Sequence, residues 1–142
     1  MNLVYALAAY PFGHLADRAS HSRLLVLGLV TLIAADLCLA VSSDWTWVWA
    51  GISLWGLHLG MTQGLLATMV ADTAPDDLRG TAYGFFNLVS GLALLVASVL
   101  AGLLWDRLGA ATTFLAGGGL SLLAIVAVLA CPAAERSRAT GR

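Results

Sequence analysis

The sequence predicts an all-α, polytopic transmembrane helical bundle, and three observations carry that prediction. Of 142 residues, 60% are apolar and only 11% are charged, against about 25% charged in an ordinary soluble domain. The charges are also bunched, leaving uncharged runs at Met1 to Ala16, Trp45 to Ala71, Gly80 to Trp105 and Leu108 to Ala134, three of them longer than twenty-five residues. A helix needs about 20 predominantly apolar residues to cross a bilayer. Finally, the runs lack the two-residue alternation of barrel strands, and in lipid every backbone amide must be satisfied within its own element, so helices are expected. Composition excludes a soluble enzyme and a disordered tail. A nucleic-acid binder is excluded too, because the net charge is −1 and all seven basic residues are arginines, so there is no lysine-rich face to neutralise phosphates.

Along the chain, residues 1–12 read as a partial transmembrane helix, closed by Pro11 and Gly13 and too short to cross alone at about 1.5 Å per residue. Residues 13–23 read as a loop carrying a motif, and 24–131 as four spans: Leu24 to Val41, Trp47 to Ala71, Thr81 to Leu104 and Ala111 to Ala130. Residues 132–142 form a tail. Cys38 and Cys131 are too far apart in sequence to suggest a disulfide framework or metal site and are expected as buried thiols. Met1 opens directly on an apolar run with no basic residues ahead of it, so no cleavable leader is expected.

Arginine placement sets an expected orientation. Arg18, Arg23, Arg79, Arg136, Arg138 and Arg142 share one side, and only Arg107 falls on the other. The first side, with the tail, is expected to be cytoplasmic, in a multi-pass inner (plasma) membrane protein. Trp45, Trp47, Trp49 and Trp105 then fall at the outer interface, where indole rings concentrate.

In the second span, Gly56, Gly60 and Gly64 recur every four residues, a small-residue stripe suited to close helix packing. At about 100° per residue, His58 lies about 160° from Gly56 and Gly60. Thr62 follows one turn on, with Gln63 at the edge. An ionisable group in a span usually faces a protein interior or a wet cavity. His58, Thr62 and Gln63 are therefore candidates to line a pathway, the alternative being a histidine satisfied by a neighbouring helix's backbone. Asp36, the acid within the first span, is a candidate for the pathway or for solvation near the outer vestibule. Asn87 heads a mildly polar stripe with Gly91 and Ser98 in the third span, explained by a cavity or by interhelical packing. Between the second and third spans, Thr73 is expected to N-cap a short turn, Pro75 to open it, Asp76 and Asp77 to complement the helix dipole, and Arg79 to pair with Asp72 or Asp76. His14 and His21 lack nearby Cys or Glu for a zinc site, no serine has a triad partner, and no phosphate-binding glycine loop is present. No enzyme activity, metal or cofactor is expected.

Gly13-His14-Leu15-Ala16-Asp17-Arg18 and Gly102-Leu103-Leu104-Trp105-Asp106-Arg107 both read Gly-x-Leu-x-Asp-Arg. On the orientation above they lie on opposite membrane faces, as an inverted three-helix repeat of a secondary transporter would place them. The first copy, with basic character continuing at His21 and Arg23, resembles the loop signature of the major facilitator superfamily between helices two and three and between helices eight and nine. Pro75 to Gly84, with Asn87 and Gly91, resembles the same family's junction of helices ten and eleven. The first motif departs from the family pattern at Ser20 and His21, where glycine and a basic residue are usual. The resemblance implies a partial major-facilitator-type half, from the end of helix eight through helix twelve. It also implies transmembrane transport of a small-molecule solute, and a gating loop of Gly13, Asp17, Arg18, Arg23, Arg79 and Gly80, with Asp17 capping the helix end near Gly80 to Tyr83. The expected partners are the lipid bilayer and the missing N-terminal half or another membrane subunit. A non-transporting truncated membrane protein or helical subunit is the competing expectation.

Overall fold

The computed structural model describes residues 1–16 and 20–130. Asp17, Arg18, Cys131 and the tail lie outside the described residues. Four helices follow one another, α1 (Asn2–Ala16), α2 (His21–Ala40), α3 (Trp45–Thr73) and α4 (Arg79–Ala130), with a 3-10 turn at Asp76–Leu78; the described residues include no strand. α1 continues through Pro11 and Gly13 instead of ending there. Proline deletes one amide donor, but its fixed φ is a helical one, and the hydrogen-bond ladder resumes beyond it.

Each break has a local cause. After α2, Ser42 Oγ donates to the Leu39 carbonyl at 2.9 Å, and extended Asp44 starts α3 with its carbonyl accepting from the Trp47 and Val48 amides. At the end of α3, Ala74 is extended (φ −86, ψ 138) because the following Pro75 disfavours the helical region for the residue before it. Thr73 does not cap the next turn. It is the last residue of α3, and its hydroxyl donates back to the Met69 carbonyl at 2.8 Å, the local bond that competes with capping. α4 is divided by Gly109, whose φ of 85° and ψ of 170° fall in a region that suits glycine and few others. Its two arms, residues 79–108 and 110–130, are clasped across the break by Trp105 and Phe114, whose ring centroids lie 5.8 Å apart, edge to face.

By length and composition, α2 (mean hydropathy 2.1) and the 55-residue segment Asp76–Ala130 (2.3) are long and apolar enough to cross a membrane. α3 has the length, at 29 residues, but tryptophans, glycines, His58 and Gln63 dilute its hydropathy.

The lateral order is α1, α3, α2, then the second arm of α4. α3 meets α1 through glycine. A Cβ on Gly56 would stand 2.7 Å from the Met1 carbonyl oxygen, and one on Gly60 the same distance from Ala8 Cβ. Gly64 has nothing within 4 Å and is exposed, so the stripe packs at two of its three positions. The other side of α3 meets α2, where Leu24 and Leu65 form the buried core with Leu25 and Met69 packed on it, and Leu39 lies over Gly51. α2 in turn carries the second arm of α4, with Asp36 against Gly117. Neighbouring α2 and α3 are antiparallel, so the start of α2 adjoins the end of α3, where His21 Nε2 is 3.9 Å from Asp72 Oδ2. Arg23 and Arg79 gather at that end; Trp45, Trp47, Trp49, Trp105 and Arg107 gather at the other. Along the first arm of α4, residues 91–100 are all exposed, an apolar surface that lipid or protein would solvate.

Candidate functional site

α3 is the helix around which the candidate residues divide. Its Gly56 and Gly60 edge is occupied by α1, and His58, projecting away from that edge, meets α2. His58 Nδ1 lies 2.8 Å from the Gly28 carbonyl oxygen. The carbonyl only accepts, so Nδ1 carries the proton and donates. This is a histidine satisfied by the neighbouring backbone, with the ring half-buried in the α2–α3 seam. Thr62 is buried in the same seam. Its hydroxyl donates to the His58 carbonyl at 2.9 Å, and its methyl faces Gly28, where a Cβ would come within 2.5 Å. His58 and Thr62 thus act together as the filling of one close helix contact.

Asp36 is only 7% exposed and looks the other way along α2, toward α4. A Cβ on Gly117 would stand 2.9 Å from its Oδ2 and one on Gly118 3.8 Å from its Cβ. The glycines in the last helical run make room for a carboxylate, a role their sequence alone does not show. Asp36 and His58 therefore occupy different seams.

Gln63 and Asn87 are open. Both are exposed, and the geometry nearby puts them at one level. Tyr83 Oη donates to the Ala67 carbonyl at 2.8 Å, tying the start of α4 to α3. Gln63 lies one turn before Ala67 on α3, and Asn87 one turn beyond Tyr83 on α4. Residues four apart share a helix face, and the chains here run in opposite directions, so both amides stand about 6 Å above the Tyr83–Ala67 tie. There α3 and the first arm of α4 part, and Gly64, Gly84 and Gly91 have no neighbours within 4 Å. Two exposed amides and a phenol thus stand close in level where α3 and the first arm of α4 adjoin. A phenol within a nearly uncharged run was the signal for the tie, since a tyrosine hydroxyl withdrawn from water seeks an acceptor.

Of the loop residues, Gly13 is exposed within α1, and Arg23 is exposed in the first turn of α2. Arg79 Nη2 pairs with Asp76 Oδ1 at 2.9 Å, one of the two partners its sequence position indicates. Gly80 is exposed with nothing within 4 Å. The second Gly-x-Leu-x-Asp-Arg copy, Gly102 to Arg107, is entirely helical within α4. Cys38 is a free thiol. The described residues hold no cluster of three or more His, Cys, Asp or Glu able to take a metal ion.

Sparsely charged helices of crossing length, apolar outer surfaces and glycine-mediated seams are those of a polytopic helical membrane protein. The family model of the Major Facilitator Superfamily matches residues 1–142, and the chain belongs to that family. It is 33% identical over 122 residues to an uncharacterized MFS-type transporter of Methanocaldococcus jannaschii, covering 86% of this chain and 30% of that protein. It is 35% identical over 119 residues to the lysosomal dipeptide transporter MFSD1 of Bos taurus, covering 81% of this chain and 25% of that one. An uncharacterized MFS-type transporter of Bacillus subtilis is 31% identical over 116 residues, 80% of this chain and 28% of its own length. The chain thus spans between 25% and 30% of these relatives. No solved structure matches.

Proposed function

We propose that this chain is the C-terminal part of a major-facilitator transporter, from the end of helix eight through helix twelve, and that the assembled protein moves a small polar solute across a plasma membrane with the tail on the cytoplasmic side. The observation that carries the reading is a family match along the entire chain combined with coverage of about a quarter of MFSD1. The bare flank of the first arm of α4 is consistent with further helices of the same transporter standing against it. The arginine distribution supports the orientation, and the two Gly-x-Leu-x-Asp-Arg copies support the inverted repeat.

The solute path runs along the junction of α3 with the first arm of α4. Gln63 and Asn87 supply donors and acceptors there, and the amides suit a hydrogen-bonding solute; a peptide-like one accords with the dipeptide transporter among the relatives. His58 and Thr62 hold the wall from behind by fixing α3 to α2, and Asp36 seats α2 on α4. Asp17 and Arg18, with Gly13 in the last turn of α1, Arg23 in the first turn of α2 and Arg79 and Gly80 at the start of α4, supply the gating motif at the cytoplasmic end. The same uncovered flank also suits the second reading, a non-transporting helical subunit docked on a different membrane partner.

The test joins this chain to the preceding helices of its transporter and measures radiolabelled dipeptide flux for Gln63→Leu and Asn87→Leu at matched membrane expression. Each substitution is expected to lower flux at least about tenfold, because a polar group of the solute is left without its partner. Unaltered flux in both variants rejects this junction as the path. The 142-residue chain alone is expected to insert without transport, and flux through it in liposomes rejects the partial-transporter reading.

A further inference from the structure

A second concavity lies away from the junction of α3 with the first arm of α4, between the first three turns of α2 and the last turn of α4. Its volume is about 450 Å³, with Ser22 and Arg23 at one end and walls from Val26, Val30, Val128 and Leu129. The sequence of α2 grades the groove chemically. Arg23 is the only cation among its lining residues, is exposed, and has no acid within bridging distance among the described residues. Val26 and Val30 follow on the same face, so the lining runs inward about 10 Å from the guanidinium at 1.5 Å per residue. The polar end sits where α2 enters the apolar zone, the level at which an arginine meets headgroups. Walls of this kind hold no group that would retain a polar solute, and an arginine at the rim holds none that would retain a bare hydrocarbon. The complementary ligand carries an anion at one end and an alkyl chain at the other.

We propose that this groove binds one anionic glycerophospholipid, its phosphate held by the Arg23 guanidinium with the Ser22 hydroxyl beside it, and one acyl chain lying between α2 and α4 over Val26, Val30 and Leu129. The lipid then bridges the seam on which Asp36 and Gly117 meet further along. Guanidinium and phosphate match in geometry, with paired N–H donors facing paired oxygens. The chain adds burial for Val30 and Leu129, which are 49% and 66% exposed without it. This inference is independent of the solute path and survives if that reading fails.

The test reconstitutes the purified 142-residue chain with equal amounts of phosphatidylglycerol and phosphatidylcholine and counts retained lipids by native mass spectrometry. One phosphatidylglycerol is expected per chain, preferred about fivefold over phosphatidylcholine, the discrimination one basic residue gives at a membrane surface. Arg23→Gln is expected to bring the preference to about one. Val30→Trp, which fills the groove at a half-exposed position, is expected to lower retention at unchanged helical content by circular dichroism. Arg107→Gln, at the opposite end of the bundle, should leave the preference intact. The proposal is overturned if the two lipids are retained equally by the unmodified chain, if Arg23→Gln keeps the preference, if Val30→Trp leaves retention unchanged, if Arg107→Gln abolishes the preference, or if excess inorganic phosphate displaces the lipid.

Discussion

Replacing Gly60 by alanine, beside the same replacement at Gly64, isolates the contact that holds α1 to the bundle. Both residues are interior to α3, so both gain the same helix propensity, about 0.5–1 kcal/mol, when glycine becomes alanine. Their surroundings differ. The new Cβ at position 60 would stand 2.7 Å from Ala8 Cβ and 3.3 Å from both the Ala8 carbonyl carbon and the Ala9 nitrogen, whereas at 64 it meets nothing within 4 Å. Carbon atoms rest about 3.5–4.0 Å apart, so the overlap at 60 approaches 1 Å. Two of the three atoms concerned are backbone and cannot rotate aside. α1 must shift as a body, at the usual overpacking cost of about 1–3 kcal/mol. The propensity gain cancels between the variants, so their difference reports the contact alone, a ratio of about fivefold to about a hundredfold in the folding equilibrium. The assay is unfolding of the detergent-solubilised chain by titration with sodium dodecyl sulfate, followed by circular dichroism. Gly64→Ala is expected at or above the unmodified midpoint and Gly60→Ala clearly below Gly64→Ala. Coincident midpoints would refute the assignment of Gly60 to a close α1–α3 crossing.

Three further outcomes follow from other contacts. Gly117→Ala should destabilise the chain less than Gly60→Ala, because the obstacle is the end of the Asp36 side chain; in a double-mutant cycle with Asp36→Ala the pair should show a coupling of about 0.5–3 kcal/mol, and strict additivity contradicts the contact. Tyr83→Phe deletes the bond to the Ala67 carbonyl and should cost about 1 kcal/mol while widening the distance between spin labels placed at positions 63 and 87; an unchanged distance distribution removes Tyr83 as the tie between α3 and α4. Arg79→Ala breaks a pair whose side chains are 51% and 90% exposed, so the unfolding midpoint should move by no more than about 0.5 kcal/mol, and a larger shift means that Arg79 has a structural role beyond the Asp76 pair.

What the sequence disclosed and what it withheld differ in physical kind. The helices, the close-packed edge at Gly56 and Gly60, the opposite heading of His58 and the Arg79–Asp76 pair are consequences of local spacing, and helical periodicity is enough to find them. Gly64 was misleading because a four-residue repeat turns about 40° per step against a 3.6-residue helix, carrying the third glycine around the cylinder while α1 crosses at an angle. Thr73 was misleading because two local bonds compete for one hydroxyl, and its own helix wins. Pro11 does not end α1, since a missing donor weakens a helix without forbidding it. Asp36 presented an acid in a span, but its environment comes from Gly117, far along the chain. That environment and the level match of Gln63 with Asn87 required the packing order of the helices, which no local pattern encodes.

That order also explains how one helix can be firmly placed and another poorly covered. α2 is clasped on both sides, by α3 through His58, Thr62 and Leu65 and by α4 through Asp36, so displacing it would break two seams at once. The first arm of α4 is held mainly near its ends, by the Tyr83 hydroxyl bond and by the Trp105–Phe114 contact at the Gly109 break. Between these, residues 91–100 touch little. A rigid rod fixed at its ends and free along its middle keeps a constant position relative to α3 only while both ties hold. Loss of the Tyr83 tie leaves Gly109 as the pivot, and a rotation there would displace the far end of the arm most, Asn87 lying about 33 Å from the pivot at 1.5 Å per residue. A small angular change at one glycine would therefore alter the separation of Asn87 from Gln63 by several times as much as that of residues near the Trp105–Phe114 contact.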